Sequence, residues 1–232
     1  MHLCTKYYVM DFKEKELIIF DFDGTLIDSV PDLTSANNKM LQHFKLEPST
    51  EEQVLTYVGK GVRNLVTKSL EQAMKGREVT EKMLQEALGI YINAYKENFC
   101  DKTNMYPGVE ETLNYLHKKG YLLTICTNKP FYFIEPILDK LSIKHYFKYW
   151  VGDDSIIEKK PSAAPLLHIV TKMGSSVEKS IMVGDSKNDI LAAQNAGMHS
   201  IGVSYGYNYN QSIEDHNPSV VVDSFVTLKE LF

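Results

Sequence analysis

The chain has few residues that could brace it from outside a hydrophobic core. Its three cysteines, Cys4, Cys100 and Cys126, lie far apart and in no C-x-x-C spacing. That excludes a disulfide framework or zinc knuckle and points to a reducing, cytoplasmic setting. The seven histidines show no H-x-x-x-H spacing, so zinc is not expected. No apolar run approaches the roughly 18 residues of a membrane span. Residues 1–16 carry Lys6, Asp11, Lys13, Glu14, Lys15 and Glu16 where a secretory leader would be apolar, so none is expected. Positive charge is in deficit, with 25 basic against 30 acidic residues and a net charge of −5. Such a chain has no electrostatic reason to seek nucleic acid or an anionic membrane. Internal repeats and low-complexity tracts are absent too.

What is present is an ordinary globular composition, 44% hydrophobic and 24% charged over 232 residues. At about 150 residues per domain this is one large domain, or a core carrying a smaller insert. The pattern favours the second. Leu17-Ile18-Ile19-Phe20 is a continuous apolar run, as a strand covered on both faces should be. Pro31 opens a helix whose apolar face is Leu33, Ala36, Met40, Leu41 and Phe44. Ser49-Thr50-Glu51-Glu52 reads as a capping box for a second helix. Val62, Leu65, Val66 and Leu70 mark a third, and Thr80 caps a long fourth with Leu84, Ala87, Leu88, Tyr91, Ala94 and Tyr95 on one face.

Beyond Pro107-Gly108 strands and helices alternate. Strands are expected at 122–126, ending at 151, and at 181–183, 200–203 and 220–222; helices at about 109–118, 131–141, 162–173 and 187–196 and at the end of the chain. This predicts an α/β fold, a doubly wound parallel sheet, with an all-helical insert. The expected division is a core of residues 1–28 and 102–232 and an insert of 29–101.

In such a sheet ligands bind at the carboxyl ends of the strands. Those ends carry Asp21 and Asp23; Thr127, Asn128 and Lys129; Lys159-Lys160-Pro161; and Gly184-Asp185-Ser186-Lys187-Asn188-Asp189. Crowded carboxylates repel, and an oxygen-rich set suits Mg²⁺. A hydroxyl, a lysine and backbone N–H groups beside a cation suit a phosphoryl group. A carboxylate there can be a nucleophile, and a second one two residues on can act as acid and base. Cys126 reads as a packed core thiol, Lys129 as a helix-start or solvated lysine, and Tyr205, Tyr207 and Tyr209 as loop packing.

Asp21-Phe22-Asp23-Gly24-Thr25-Leu26 resembles the D-x-D-G-T-L motif of the haloacid dehalogenase superfamily. Thr127-Asn128-Lys129, Lys160-Pro161 and Gly184-Asp185-Ser186-Lys187-Asn188-Asp189 are similar to its second, third and fourth motifs, in order. The resemblance implies Asp21 as nucleophile, Asp23 as general acid/base, and Thr127 and Lys160 as holders of phosphoryl oxygens. It implies Mg²⁺ on Asp21, the Asp23 backbone carbonyl and Asp185, with Asp189 ligating through water or orienting the site. Gly24, Thr25 and Asn128 would complete the substrate-binding set, and the insert would be a cap.

Asp28-Ser29-Val30-Pro31-Asp32-Leu33, Gly59-Lys60-Gly61-Val62-Arg63 and Tyr205-Gly206-Tyr207-Asn208 further resemble segments of bacterial phosphoglycolate phosphatases. In that reading Arg63 or Lys60 meets the substrate carboxylate. After Lys160-Pro161 the chain keeps only Pro165 where further prolines are usual. The partner expected is thus a small phosphorylated metabolite, with the oligomeric state, monomer or dimer, left open. Pyrophosphatase, nucleotidase and sugar-phosphate phosphatase or mutase chemistry share the same motifs. A phosphonate hydrolase is disfavoured by Asp23, and an inactive binding module by the presence of Asp21, Asp23 and Lys160.

Overall fold

A computed structural model describes residues 11–232; Cys4 and Lys6 lie outside them. The apolar run forms β1 (Leu17–Phe20), buried throughout. Its side chains alternate: Ile18 and Phe20 join the larger of two core clusters, and Leu17 and Ile19 join the smaller one on the other sheet face. Parallel to β1 lie β4 (Leu122–Cys126) and β6 (Ser180–Gly184). Outside these come β5 (Phe147–Val151) on one flank, and β7 (His199–Val203) and β8 (Val220–Val222) on the other. The order is β5-β4-β1-β6-β7-β8, with every pairing parallel. Counted within this sheet, that is the doubly wound order 3-2-1-4-5-6, which turns direction beside the first strand.

The connecting helices are α5 (Val109–Lys118), α6 (Phe131–Lys140), α7 (Ala164–Met173) and α8 (Lys187–Ala196), with a short α9 (Leu228–Leu231) at the end. α7 starts two residues later than the periodicity suggests. Pro165 occupies its first turn, where a missing N–H costs no helical bond.

Between β1 and α5 the chain forms β2 (Ile27–Asp28), α1 (Val30–His43), α2 (Glu51–Leu55), α3 (Val62–Met74), α4 (Glu81–Glu97) and β3 (Asn104–Met105). The capping box of α2 is set one residue on from the expected one. Thr50 Oγ1 accepts from Gln53 N, and Gln53 Oε1 accepts from Thr50 N. Leu33, Met40, Val54, Leu65 and Tyr91 of this helical insert belong to the same core cluster as Phe20 and Ile125 of the sheet. No helix among the described residues is long and apolar enough to cross a membrane.

The two strands that join insert and sheet, β2 and β3, pair with each other over two residues. They are too short to show any period in sequence. A buried carboxylate secures them. Asp32, in the first turn of α1, accepts from Lys102 N at 3.0 and 3.1 Å, Thr103 N at 2.8 Å and Thr103 Oγ1 at 2.7 Å. Asp32→Ala would strand these donors away from water. It is expected to cost about 2–4 kcal/mol in chemical denaturation; a loss under about 1 kcal/mol would contradict the role.

Candidate active site

Adjacency of β1, β4 and β6 decides which residues meet. Asp21 extends β1 by one ladder bond, Asp21 N to Val183 O at 2.9 Å, so its side chain emerges beside the end of β6. There Asp185 follows Gly184, and Asp189 lies on the first turn of α8. Carboxylate oxygens of Asp21, Asp185 and Asp189 all lie within 4.8 Å of one another, and all three residues are buried.

Close packing of three carboxylates needs backbone without side chains. A Cβ at Gly24, whose φ is +91°, would sit 2.4 Å from Asp185 Oδ2, and one at Gly206 would sit 2.1 Å from Asp185 Cβ. Gly206 belongs to the Tyr205–Asn208 loop, whose role is support. Tyr207 N donates to Asp185 Oδ2 at 2.7 Å, Tyr205 Oη to the Thr25 carbonyl at 2.8 Å, and Tyr207 Oη to Asp28 Oδ1 at 2.7 Å. Thr25 Oγ1 donates to Asp185 Oδ1 at 2.9 Å. Gly24 and Thr25 thus shape Asp185 and do not line the pocket.

The three carboxylates are not equally engaged. Asp189 Oδ2 accepts from Ser186 N and Oγ at 2.9 and 2.7 Å, and its Oδ1 accepts from Lys160 Nζ at 2.5 Å. Lys160 Nζ also lies 2.8 Å from Asp21 Oδ1 as an ion pair. Apart from this ammonium, Asp21 Oδ1 has no donor in the protein. Burial, then repulsion from Asp189, pushes the Asp21 carboxyl up to about 7 against the pull of Lys160. Burial, then Asp21 and Asp189, pushes Asp185 well above the usual carboxylate range. Burial alone would lower Lys160, but Asp189 and Asp21 outweigh it and raise it, so it stays an ammonium. An all-oxygen donor set and three buried acids against one lysine fit a hard divalent cation. The Asp23 side chain is not part of this cluster.

Asp23 faces another cation. Lys129 Nζ donates to its two oxygens at 2.9 and 3.2 Å, and Ser29 Oγ donates at 2.6 Å. Lys129 is therefore a buried site residue and not a solvated helix-start lysine. Its place directly after Thr127-Asn128 at a strand end was the available signal. Thr127 lines the pocket, and its Oγ1 accepts from Lys129 N. Beneath it, burial pushes the Cys126 thiol up to about 12, which leaves it an inert core group.

Asp21, Asp23, Thr127, Asn128, Lys129, Lys160, Ser186 and Asn188 form the sheet side of one pocket. The opposite wall comes from the insert: Leu33, Val58, Val62, Leu65, Tyr91 and Tyr95, with Gly59 and Gly61. The Gly59 carbonyl is gripped from the sheet side by Asn128 Nδ2 at 2.9 Å and Asn188 Nδ2 at 3.0 Å. Asn128 Nδ2 also reaches the Lys160 carbonyl at 2.9 Å. Lys60 lies over the Tyr209 ring at 4.3 Å, and exposed Arg63 pairs with Glu81 at 2.8 Å. Neither side chain lines the pocket, because each finds a partner outside it. The insert loop reaches the site with its backbone, and its two cations do not.

The raised acids set a pH dependence. A carboxyl whose folded pKa is raised keeps its proton in the native state where the unfolded chain has lost it. Its burial costs nothing below the ordinary value near 3.8 and costs most above the folded value near 7. A divalent cation competes with that proton and relieves the same repulsion. Saturating MgCl₂ should therefore raise the Tm of the chelator-treated protein more at about pH 8 than at about pH 5. Equal increments at both pH values would contradict this arrangement.

Comparison with known proteins agrees with this geometry. The family model for haloacid dehalogenase-like hydrolases matches residues 18–203. The chain is 41% identical over 215 residues to a phosphoglycolate phosphatase of Haemophilus influenzae, covering 92% of this chain and 96% of that one. It is 40% identical over 219 residues to a phosphoglycolate phosphatase of Nitrosococcus oceani, covering 94% and 97%. A crystal structure of a predicted phosphoglycolate phosphatase from Haemophilus somnus superposes with a TM-score of 0.90 at 37% identity, covering 94% of this chain and 97% of that one. The chain belongs to the haloacid dehalogenase-like hydrolases.

Proposed function

We propose that the protein is a phosphomonoester hydrolase acting through a phospho-aspartate on Asp21, with 2-phosphoglycolate as its substrate and residues 29–101 as a cap. The observation that carries this reading is the Asp21 carboxylate. It lines the pocket at the end of β1, beside Asp185 and Asp189, with the Lys160 ammonium 2.8 Å from its Oδ1 and no other donor to that oxygen. The names of the relatives support the choice of substrate.

In this reading the phosphoryl group sits between Asp21, Thr127 and Lys160. Asp21 attacks phosphorus, and the bond to the leaving oxygen breaks. Asp23 gives that oxygen a proton and then takes one from water as the water oxygen attacks phosphorus. The bond to Asp21 breaks, which releases phosphate and restores the carboxylate. Mg²⁺ on Asp21, Asp185 and the Asp23 backbone carbonyl would neutralise phosphoryl charge. Asp189, saturated by Ser186 and Lys160, orients the ammonium. Insert helices over the pocket keep bulk water from the first transfer, while Asp23 positions the one water that the second transfer needs.

The insert wall argues against inorganic pyrophosphate. Among the described residues that line the pocket, the only cations are Lys129 and Lys160, both on the sheet side. A second phosphoryl group would meet leucine, valine and tyrosine.

Asp21→Asn should lower hydrolysis of 2-phosphoglycolate by at least about 10³-fold. Its Tm should equal or exceed that of the wild type, because one charge leaves a crowded cluster. Retention of a tenth or more of the activity would remove Asp21 from the role. Arg63→Ala should change kcat/KM by less than about fivefold, as loss of an exposed ion pair does. A selective loss on carboxylate-bearing substrates would bring Arg63 back to the pocket.

A further inference from the structure

With Arg63 and Lys60 engaged elsewhere, the part of the substrate beyond phosphorus needs another partner. Two residues of the pocket wall carry polar atoms that have no partner in the protein. Tyr91 and Tyr95 both line the pocket, are 0% and 2% exposed, and carry hydroxyls with no hydrogen-bond partner in the protein. A buried hydroxyl without an acceptor is costly and rare, and more so as a neighbouring pair. They stand one turn apart on α4 with rings nearly parallel, 16° between planes at 6.2 Å, so they form one surface. Phe133 backs the Tyr95 ring edge-on at 4.7 Å. Lys129 Nζ lies 5.0 Å from the centre of the same ring while it holds Asp23. Around them the insert wall is Leu33, Val58, Val62 and Leu65, which offer no side-chain donor. Burial raises both phenols, so both stay protonated donors at physiological pH.

We propose that Tyr91 and Tyr95 determine specificity, their hydroxyls holding, with Lys129, an acceptor oxygen of the leaving group. When the leaving group is glycolate, that acceptor is its carboxylate. The inference rests on the phosphomonoester hydrolase reading above. Two hydroxyl donors and a shared ammonium take one carboxylate, whereas a second phosphoryl group would ask for more charge.

The test compares 2-phosphoglycolate with ethyl phosphate, which has the same two-carbon chain without the carboxylate. For wild type, Tyr91→Phe, Tyr95→Phe and the double variant, kcat/KM on each substrate and the Tm without substrate are measured. The wild type should prefer 2-phosphoglycolate. Each phenylalanine should lower that preference by about 10- to 100-fold, chiefly through KM. Tm should hold or rise, because a buried hydroxyl without a protein partner is removed. An unchanged preference, or a parallel loss on both substrates with a lower Tm, would overturn the assignment. A wild type with no preference overturns the glycolate reading instead. The same variants are then compared on the best phosphomonoester of a panel, and equal kcat/KM in all of them overturns the role of the hydroxyls.

Discussion

Repulsion among three buried carboxylates, held by one ammonium, governs the rest of the molecule. Asp21, Asp185 and Asp189 would not stay together without compensation, since a low-dielectric site strengthens their mutual repulsion. Lys160 offsets part of it by touching Asp21 and Asp189 at once. The remainder is spread over Thr25, Ser186 and the backbone N–H groups of Ser186 and Tyr207. What stays unbalanced makes the site useful. Asp21 and Asp185 are pushed up, and the cluster favours a cation.

The fold serves this cluster in two ways. Placing β4 and β6 on either side of β1 brings three separate stretches of chain to one crevice. The insert closes the crevice with an apolar wall while sharing one continuous core with the sheet. Contact across the pocket is made through backbone, with the Gly59 carbonyl held by Asn128 and Asn188. Charge therefore sits on the sheet side and shape on the insert side. Such a division lets one scaffold keep its phosphoryl chemistry while the wall selects the leaving group.

The elements were legible where a pattern runs long enough to repeat. The apolar run of β1 and the helical face of α4 announce themselves, whereas the two-residue β2–β3 ladder has no period to read. The shift from Ser49 to Thr50 as cap, and the start of α7 at Ala164, are one- and two-residue adjustments made by caps and Pro165. Motif spacing pointed to the cluster of Asp21, Asp185, Asp189 and Lys160, because each follows a strand end. The pocket's other residues were harder to find. Lys129 reads as a solvated lysine until Asp23 is seen across the crevice. Tyr91 and Tyr95 read only as an apolar helix face, because the lack of partners for a hydroxyl is a three-dimensional fact. Conversely, Arg63 and Lys60 have the right charge in a suggestive segment, but Glu81 and Tyr209 hold them outside. Residue type and spacing predict which backbone reaches the site better than they predict where a long side chain will rest.

The central claim is that the Asp21 carboxylate attacks phosphorus, and acid quenching tests it most directly. Enzyme turning over ³²P-labelled 2-phosphoglycolate in Mg²⁺ is stopped in acid, digested with pepsin and mapped by mass spectrometry. The account predicts a phosphoryl group on the peptide containing Asp21, absent from Asp21→Asn, and replacement of Asp21 by homoserine after borohydride reduction. Label on any other residue, or label retained in Asp21→Asn, would contradict it.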